Sequence, residues 1–473
     1  MENNLPLCVD LDGTLIKSDL LVESALMLLR RNPLYLLRTP VWLLRGKANL
    51  KREIARRSPV EPALLPYRED LLAWLRAQAG ERALVLCTAS DGLLAEPVAA
   101  HLGCFSKVLA SDGRTNLSGR RKAERLVLEY GDRGFDYIGN ERADLEIWSR
   151  SRHAVLAGAS SWLERTARKR FDVTDSFPGQ QPTLRIWLKA LRLHQWAKNL
   201  LVFLPLLAAH RIFDLSTTWR AIAAWAIFGL CASGVYVLND LLDLAADRAH
   251  PRKRRRAFAS GALSLTQGII VNAMLTVVAF AAALVLSPLF ALVLLGYWLL
   301  TNAYSLTLKR QAIVDVLVLA GLYTLRILAG ATATRIAPSF WLLAFSMFFF
   351  LSLAILKRYT ELETQRRGGL LHAAGRGYHI DDLPLLTSLG VASGYLSVLV
   401  LALYIQSGNG MMLYQRPAWL WLWCPLLLYW ISRAWFIAHR GHMHDDPVVF
   451  ALRDRISRAV LALCVIIALI AVR

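Results

Sequence analysis

Hydrophobic and polar positions divide the chain near residue 175. Before it, charged and polar residues recur as in a globular domain. The apolar runs there are short: Leu5–Val9, Ala83–Cys87 and Phe135–Gly139 are of strand length. Polar residues follow each run at once, namely Asp10 and Asp12, Thr88 and Ser90, and Asn140 and Asp144. Continuous apolar runs of this length predict strands buried on both faces, as in a parallel sheet covered by helices. Polar residues at the strand ends predict a ligand site at the carboxyl edge of that sheet. Residues 15–80 are helical in pattern and predict a small cap over that edge. From about Trp196 onward the apolar runs lengthen. About nine segments approach the ~20 residues of a bilayer crossing, near 196–210, 217–239, 266–286, 288–306, 313–334, 339–356, 385–405, 417–438 and 457–472. Proline marks several of their ends, as at Ser287-Pro288, Ala337-Pro338 and Arg416-Pro417. The pattern predicts an α/β Rossmann-like domain with a small helical cap over residues 1–172. A linker or interfacial segment follows over 173–190, then an all-α polytopic membrane domain of about nine helices over 191–473.

Composition supports this division. In 473 residues, 55% hydrophobic content coexists with a formal net charge of +20, and mean hydropathy is +0.38. A membrane protein with basic cytoplasmic loops accommodates both. Arg248, Arg252, Lys253, Arg254, Arg255 and Arg256 follow the second span; Lys309 and Arg310, then Lys357, Arg358, Arg366, Arg367 and Arg376, then Arg440, Arg453 and Arg455 fall in later loops of the same side. The opposite loops hold only Arg211, Arg220, Arg335 and Arg416. This asymmetry predicts a multi-pass protein whose N-terminal domain and Asp-bearing loops face the cytoplasm. No secretory signal is expected, because the first apolar run leads straight into Asp10. Nucleic acid is not an expected partner, since the basic residues sit between apolar spans and not on one soluble face. The six cysteines show neither paired nor metal-like spacing and read as reduced, small apolar residues. Leu34 to Arg45 is too short and too basic to span; its mixture of Trp, Leu and Arg suits an interfacial segment on the bilayer, a buried helix of the cap or an inter-domain contact.

Asp10-Leu11-Asp12-Gly13-Thr14, Thr88, Lys122 and Gly139-Asn140…Asp144 resemble, in order and spacing, the four motifs of the haloacid dehalogenase (HAD) superfamily over residues 1–172. The resemblance implies a phosphatase. Asp10 would be the nucleophile that forms an aspartyl-phosphate, and Asp12 would protonate the leaving oxygen and then activate water. Thr88 and Lys122 would hold the phosphoryl oxygens. Mg²⁺ would be held by Asp10 and Asp144, with Asp12 and Asn140 in the same metal set. Asn140 departs from the aspartate many members have there and lowers the negative charge of the site.

A second acidic cluster, Asn239-Asp240-Leu241-Leu242-Asp243-Leu244-Ala245-Ala246-Asp247-Arg248, lies where the second span meets the cytoplasm. On one helix, Asn239, Asp243 and Asp247 share a face at i, i+4 and i+8, with Asp240 beside them. Carboxylates so gathered call for a cation, and Mg²⁺ takes a few carboxylates together with phosphate oxygens. Arg248, His250, Lys253, Arg254 and Arg256 follow as candidate phosphate ligands.

This motif and the span pattern resemble the UbiA superfamily of intramembrane prenyltransferases. Within it, Leu191 to Leu200, Asn239 to Lys253, Ala259-Ser260-Gly261, Tyr304 to Lys309, Arg326…Ala329-Gly330 and Leu356 to Leu362 are similar to the decaprenyl-phosphate phosphoribosyltransferase branch. The resemblance implies a prokaryotic cell (inner) membrane enzyme with phosphoribosyl diphosphate and a polyprenyl phosphate lipid as partners, one Mg²⁺ site per domain, and a possible oligomer. Asp243 and Asp247 would be catalytic. Lys198, Asn199, Tyr304, Lys309, Arg326, Lys357, Arg358 and Glu361 would join the basic run in binding substrate. The competing expectation is an aromatic prenyltransferase with a regulatory or inactive N-terminal domain. Such enzymes carry a second DxxxD-type motif after the sixth span. Here that loop opens Lys357-Arg358-Tyr359-Thr360-Glu361, and Asp381-Asp382 lack the spacing. A basic replacement favours two phosphorylated substrates.

Overall fold

In the computed structural model, residues 5–179, 181–367, 377–407, 414–443 and 446–472 are described, so Arg376 lies outside them. Contacts divide the chain into two units: residues 1–192 with 236–273, and residues 193–235 with 274–473.

In the first unit, strands β1 (Leu7–Val9), β2 (Leu84–Asp91), β3 (Lys107–Ser111), β4 (Asp136–Gly139), β5 (Ala154–Ala157) and β6 (Val173–Phe177) form one parallel sheet in the order β3-β2-β1-β4-β5-β6. Alternate residues feed two separate cores. Leu7, Val9, Leu86, Ile138 and Val155 pack on one face, and Cys8, Val85, Cys87, Tyr137 and Leu156 on the other. Burial on both faces explains why the strands read as continuous apolar runs. Val173–Phe177, which the sequence places in a linker, is the sixth strand. Its alternating polar residues suit an edge, where one side of the strand is uncovered.

Helices α1 (Leu20–Arg31), α2 (Thr39–Leu44) and α3 (Lys47–Arg57) form the cap inserted between β1 and β2. Helices α4 (Glu69–Gln78), α5 (Gly92–Leu102), α6 (Arg120–Tyr130), α7 (Leu145–Trp148) and α8 (Ser161–Arg170) connect the strands, and α9 (Leu184–Ala190) follows β6. The cap has a small core of its own: Leu28, Trp42 and Ile54. Leu34, Leu36, Leu37, Leu43 and Leu44 nevertheless remain exposed, Leu44 by 88%. Segment 34–45 thus sends Trp42 into the cap core and leaves its leucines outside it.

Eight helices among the described residues are long and apolar enough to cross a membrane: Leu215–Leu242, Leu265–Leu286, Pro288–Leu306, Val314–Thr334, Phe340–Arg367, Ile380–Gln406, Pro417–His439 and Arg455–Val472. The first expected span, 196–210, is instead a 3₁₀ stretch, Leu193–Phe203, followed by a five-residue helix, Leu204–Ala208, with Pro205 in its first turn. Its backbone packs tightly in the second unit: a Cβ at Gly330 would lie 1.9 Å from the Val202 carbonyl oxygen.

Candidate active sites

The chain leaves β1 at Asp10, and β2 and β4 flank β1. Motif residues at the ends of these three strands therefore meet. Lys122 Nζ, carried in by α6, donates to Asp10 Oδ1 at 2.7 Å and to the Tyr137 hydroxyl at 3.0 Å. Tyr137 in turn donates to Asp144 Oδ1 at 3.0 Å. Asp144 Oδ2 accepts the backbone N–H groups of Asn140 and Glu141 at 2.9 and 2.8 Å. Thr88 and Ser90 hydroxyls donate to Asp12 Oδ2 at 3.2 and 2.7 Å, and Leu20 N–H donates to Asp12 Oδ1 at 2.8 Å. The Thr14 hydroxyl lies 3.1 Å from Asn140 Oδ1. Gly13 turns the chain at φ +72°, and a Cβ there would sit 2.3 Å from Asn140 Nδ2. Only glycine fits both constraints.

Electrostatics sort these acids. Burial, with Asp19 nearby, pushes the Asp12 carboxyl up to about 7, so it holds or releases a proton near neutrality. Burial and the charge of Asp10 push Asp144 up to about 6. Burial opposes the charged form of Lys122, yet the Asp10 carboxylate carries its pKa above the ordinary lysine value. Lys51, on cap helix α3, donates to the Ala89 carbonyl at 2.6 Å and Asn116 Oδ1 at 2.8 Å. Its pKa is lowered, chiefly by burial. Ser90 is legible only as a polar residue at a strand end, with no role of its own, and Lys51 escapes the sequence reading because a lone lysine in a basic cap helix carries no signal.

The second acidic cluster, in the same unit, departs from its expected geometry. The helix ends at Leu242. Asp243 takes φ −95° and ψ 12°, and a short helix, Leu244–Ala249, follows. Asn239, Asp243 and Asp247 thus do not share the face of one uninterrupted helix. Backbone bonds from Asp243 to Asn239 and from Asp247 to Asp243, at 2.9 and 2.8 Å, still keep them a turn apart. At the break, the Leu242 carbonyl accepts from Arg30 Nη1 at 3.2 Å.

Each acid has an arginine partner. Arg30 pairs with Asp243 at 3.2 Å. Arg192 and Arg256 pair with Asp240, the latter at 3.1 Å, and Arg256 also reaches Asp247 at 2.7 Å. Asn239 Oδ1 is buried without a hydrogen-bond partner among the described residues. Arg248, expected at the diphosphate, is instead held by Glu23 Oε1 and Oε2 at 2.6 and 2.8 Å and by the Ala259 carbonyl at 2.9 Å. His250 Nδ1 accepts the N–H groups of Arg252 and Lys253, while Lys253 and Arg254 are exposed.

The second unit gathers the remaining candidates into three groups. Lys198 and Lys357 both donate to Asp446 Oδ2, at 3.0 and 2.9 Å. A cavity beside them is lined by Leu319, Tyr323, Leu353, Ala354, Lys357, Asp446, Pro447 and Val448. Arg326 donates to Asn199 Oδ1 at 3.0 Å and to the Leu322 carbonyl at 2.5 Å, packed among the rings of Phe228, Tyr297 and Tyr323. Arg358, almost fully buried, pairs with Asp315, with Glu361 at 2.5 Å and with the Tyr304 hydroxyl at 2.9 Å. Arg358, Tyr304 and Glu361 thus form one buried network, and Arg326 and Asn199 form another. Lys309 stands in the 3₁₀ turn Leu308–Arg310. Asp315 and Asp446 organise two of the groups and are absent from the sequence reading, because a single aspartate outside a repeat carries no spacing.

The profile of the UbiA prenyltransferase family matches residues 200–458. The chain belongs to the UbiA prenyltransferase family. Its relatives include the uncharacterized protein y4nM of Sinorhizobium fredii, 40% identical over 96% of this chain and 89% of the relative. Nodulation protein NoeC of Azorhizobium caulinodans is 38% identical over 57% of this chain and 87% of its own length. The decaprenyl-phosphate phosphoribosyltransferase of Mycobacterium tuberculosis is 38% identical over 38% of this chain and 62% of its own length. As a UbiA member with eight apolar helices of spanning length among its described residues, the chain is a multi-pass membrane enzyme.

UbiA chemistry implies a divalent cation, and the donor set of the second acidic cluster fits one. Asp240, Asp243 and Asp247 are hard oxygen donors, and the unpartnered Asn239 Oδ1 offers a carbonyl oxygen. Among the described residues, no three His, Cys, Asp or Glu side chains are gathered into a metal cluster. The fit thus lies in the type of donor: Mg²⁺ takes a few carboxylate or carbonyl oxygens and completes its shell with water and substrate phosphate oxygens.

Proposed function

We propose that the chain transfers the 5-phosphoribosyl group from phosphoribosyl diphosphate to a polyprenyl phosphate of decaprenyl type, and that its N-terminal domain is a HAD-type phosphatase that then removes the 5-phosphate. The observation that carries the transferase reading is the Lys198–Asp446–Lys357 group. Two ammonium groups share one carboxylate, leaving a net positive charge beside walls of Leu319, Leu353 and Val448. A cationic head position with an apolar flank suits an anionic lipid phosphate. The name of the mycobacterial relative points the same way.

The diphosphate is assigned to the acidic cluster, where Asp240, Asp243, Asp247 and Asn239 would hold Mg²⁺ and Arg256 and Lys253 would take the phosphate oxygens. Mg²⁺ supplies charge neutralisation of the leaving diphosphate when bound. An oxygen of the lipid phosphate attacks the anomeric carbon as the bond from that carbon to the diphosphate oxygen breaks. The nucleophile is already anionic, so no strong base is required. In the N-terminal domain, Asp10 attacks the 5-phosphate phosphorus and the sugar hydroxyl leaves with a proton from Asp12. Water, deprotonated by Asp12, then hydrolyses the aspartyl-phosphate. Lys122 offsets the charge of the phosphoryl oxygens. Asp10 and Asp144, with Asn140 and Asp12, would supply the oxygen donors for a Mg²⁺ in this domain. The exposed leucines of the cap, with Arg38 and Arg45 between them, are assigned to the cytoplasmic surface of a prokaryotic inner membrane.

Incubation with labelled phosphoribosyl diphosphate and polyprenyl phosphate, followed by mass analysis of the lipid fraction, tests both steps. The expected product is lipid-phosphoryl ribose without the 5-phosphate. Prenylation of 4-hydroxybenzoate from a polyprenyl diphosphate, with no ribosyl lipid formed, would establish the aromatic prenyltransferase instead.

A further inference from the structure

We propose that helix α1 of the N-terminal domain positions the acidic cluster and its basic loop, so that Glu23 and Arg30 are positioning residues of the transferase. The inference rests on the reading that this cluster binds diphosphate. Residues 17–30 grip residues 242–261 at three points.

The first is the Glu23–Arg248 pair, bidentate at 2.6 and 2.8 Å with both side chains at least nine-tenths buried. Glu23 is fixed in turn by the Ser18 hydroxyl. Arg248 also ties down the Ala259 carbonyl, so the basic loop 250–256 is closed at its two ends by one guanidinium. The second is Arg30, in the last turn of α1, which holds both the Asp243 carboxylate and the Leu242 carbonyl at the helix break. The third is Gly261 at φ +72°, where a Cβ would lie 2.5 Å from Lys17 Cβ and 2.7 Å from the Lys17 carbonyl oxygen. Such an approach admits only glycine.

The same helix donates its Leu20 N–H to Asp12. One 12-residue helix thus touches the carboxylate assigned to proton transfer at one end and the carboxylate assigned to diphosphate chemistry at the other. Arg248 has three donor atoms engaged by Glu23 and Ala259. It acts on diphosphate through the loop it shapes, and not as a direct ligand. Partners that orient the ligands of a metal site are worth about 10- to 100-fold in affinity.

The test uses the full chain in lipid. Binding of inorganic diphosphate with Mg²⁺ is measured by calorimetry, ribosyl transfer by lipid labelling, and backbone order over 242–261 by hydrogen exchange. Glu23→Gln and Arg30→Gln are each expected to weaken diphosphate binding about 10-fold or more. They should raise KM for phosphoribosyl diphosphate more than they lower kcat, and speed exchange over 242–261. Arg120→Gln, on an exposed pair in α6, is the control. The exchanged pair Glu23→Arg with Arg248→Glu should recover most of the binding lost in Arg248→Glu alone. Arg30 is partly exposed, so Arg30→Gln keeps the test open where loss of the buried pair impairs folding. Wild-type diphosphate affinity and exchange in both Glu23→Gln and Arg30→Gln would overturn the proposal. So would an exchanged pair no better than Arg248→Glu, which would make Arg248 a direct ligand. Absence of lipid labelling by the wild type would defeat the functional reading alone, because hydrogen exchange still decides whether the helix holds the loop.

Discussion

Asp446→Asn separates the two roles of the Lys198–Asp446–Lys357 group. The substitution keeps the shape of the side chain and removes the carboxylate that pairs with both ammonium groups, at 3.0 and 2.9 Å. At an effective dielectric of ~20, each attraction is worth about 5.5 kcal/mol before desolvation is charged against it. Lys357 is 32% exposed, so its share is screened. Removing one partner of a buried pair costs about 3–5 kcal/mol, and the lower end, about 3 kcal/mol, is expected. At roughly 2–4 °C per kcal/mol for domains of 150–250 residues, the unfolding midpoint should fall by about 6–12 °C. Thermal unfolding of the detergent-purified chain, followed by tryptophan fluorescence, reads this shift. Polyprenyl phosphate brings back an anion, so it should stabilise Asp446→Asn more than it stabilises the wild type. A variant that melts with the wild type and gains nothing extra from polyprenyl phosphate would refute the assignment of this group to an anionic headgroup.

The remaining predictions concern the two acidic sites. Asp243→Ala and Asp247→Ala should each cut lipid labelling at least about 100-fold, because losing even a partner that only orients a metal ligand costs about 10- to 100-fold, while far-ultraviolet circular dichroism stays helical; normal labelling by both would sink the cation assignment. Asp10→Asn should leave a lipid product heavier by one phosphate in mass spectra, because a carboxamide is a very poor nucleophile, and Lys122→Ala should do so more weakly. Gly13→Ala combines φ +72° with the 2.3 Å clash against Asn140. It should cost the N-terminal domain roughly 1–3 kcal/mol and lower phosphate release; an unchanged melting curve would show that the turn relaxes freely.

Features set by neighbouring residues are legible in this chain, and features set by distant partners are not. Leu7–Val9 reads as a doubly buried strand because its whole run is apolar, and it is buried on both faces. Asp10, Thr88, Lys122 and Asp144 are recognisable by order and spacing, and the structure brings them together. The helix break at Asp243 is invisible in the sequence, since the i, i+4 periodicity of Asn239, Asp243 and Asp247 fits an unbroken helix equally well. Arg248 reads as a phosphate ligand because nothing in its neighbourhood announces Glu23, 225 positions earlier. The stretch 196–210 is apolar enough for a span, but its 3₁₀ geometry depends on close packing against Gly330. Asp446 gains its importance only from Lys198 and Lys357, which lie 248 and 89 positions away.

The exposed leucines of the cap bear on how the phosphatase step would respond to its surroundings. With Leu37 exposed by 76% and Leu44 by 88%, this face gains most when it lies against lipid. A substrate whose polyprenyl tail never leaves the bilayer is then met by a search in two dimensions. The relevant concentration is molecules per unit of membrane area. Adding inert phospholipid or detergent at constant bulk substrate should slow phosphate release in proportion to the dilution of the surface. A water-soluble ribose 5-phosphate, which is not confined there, should be released at a rate blind to that dilution.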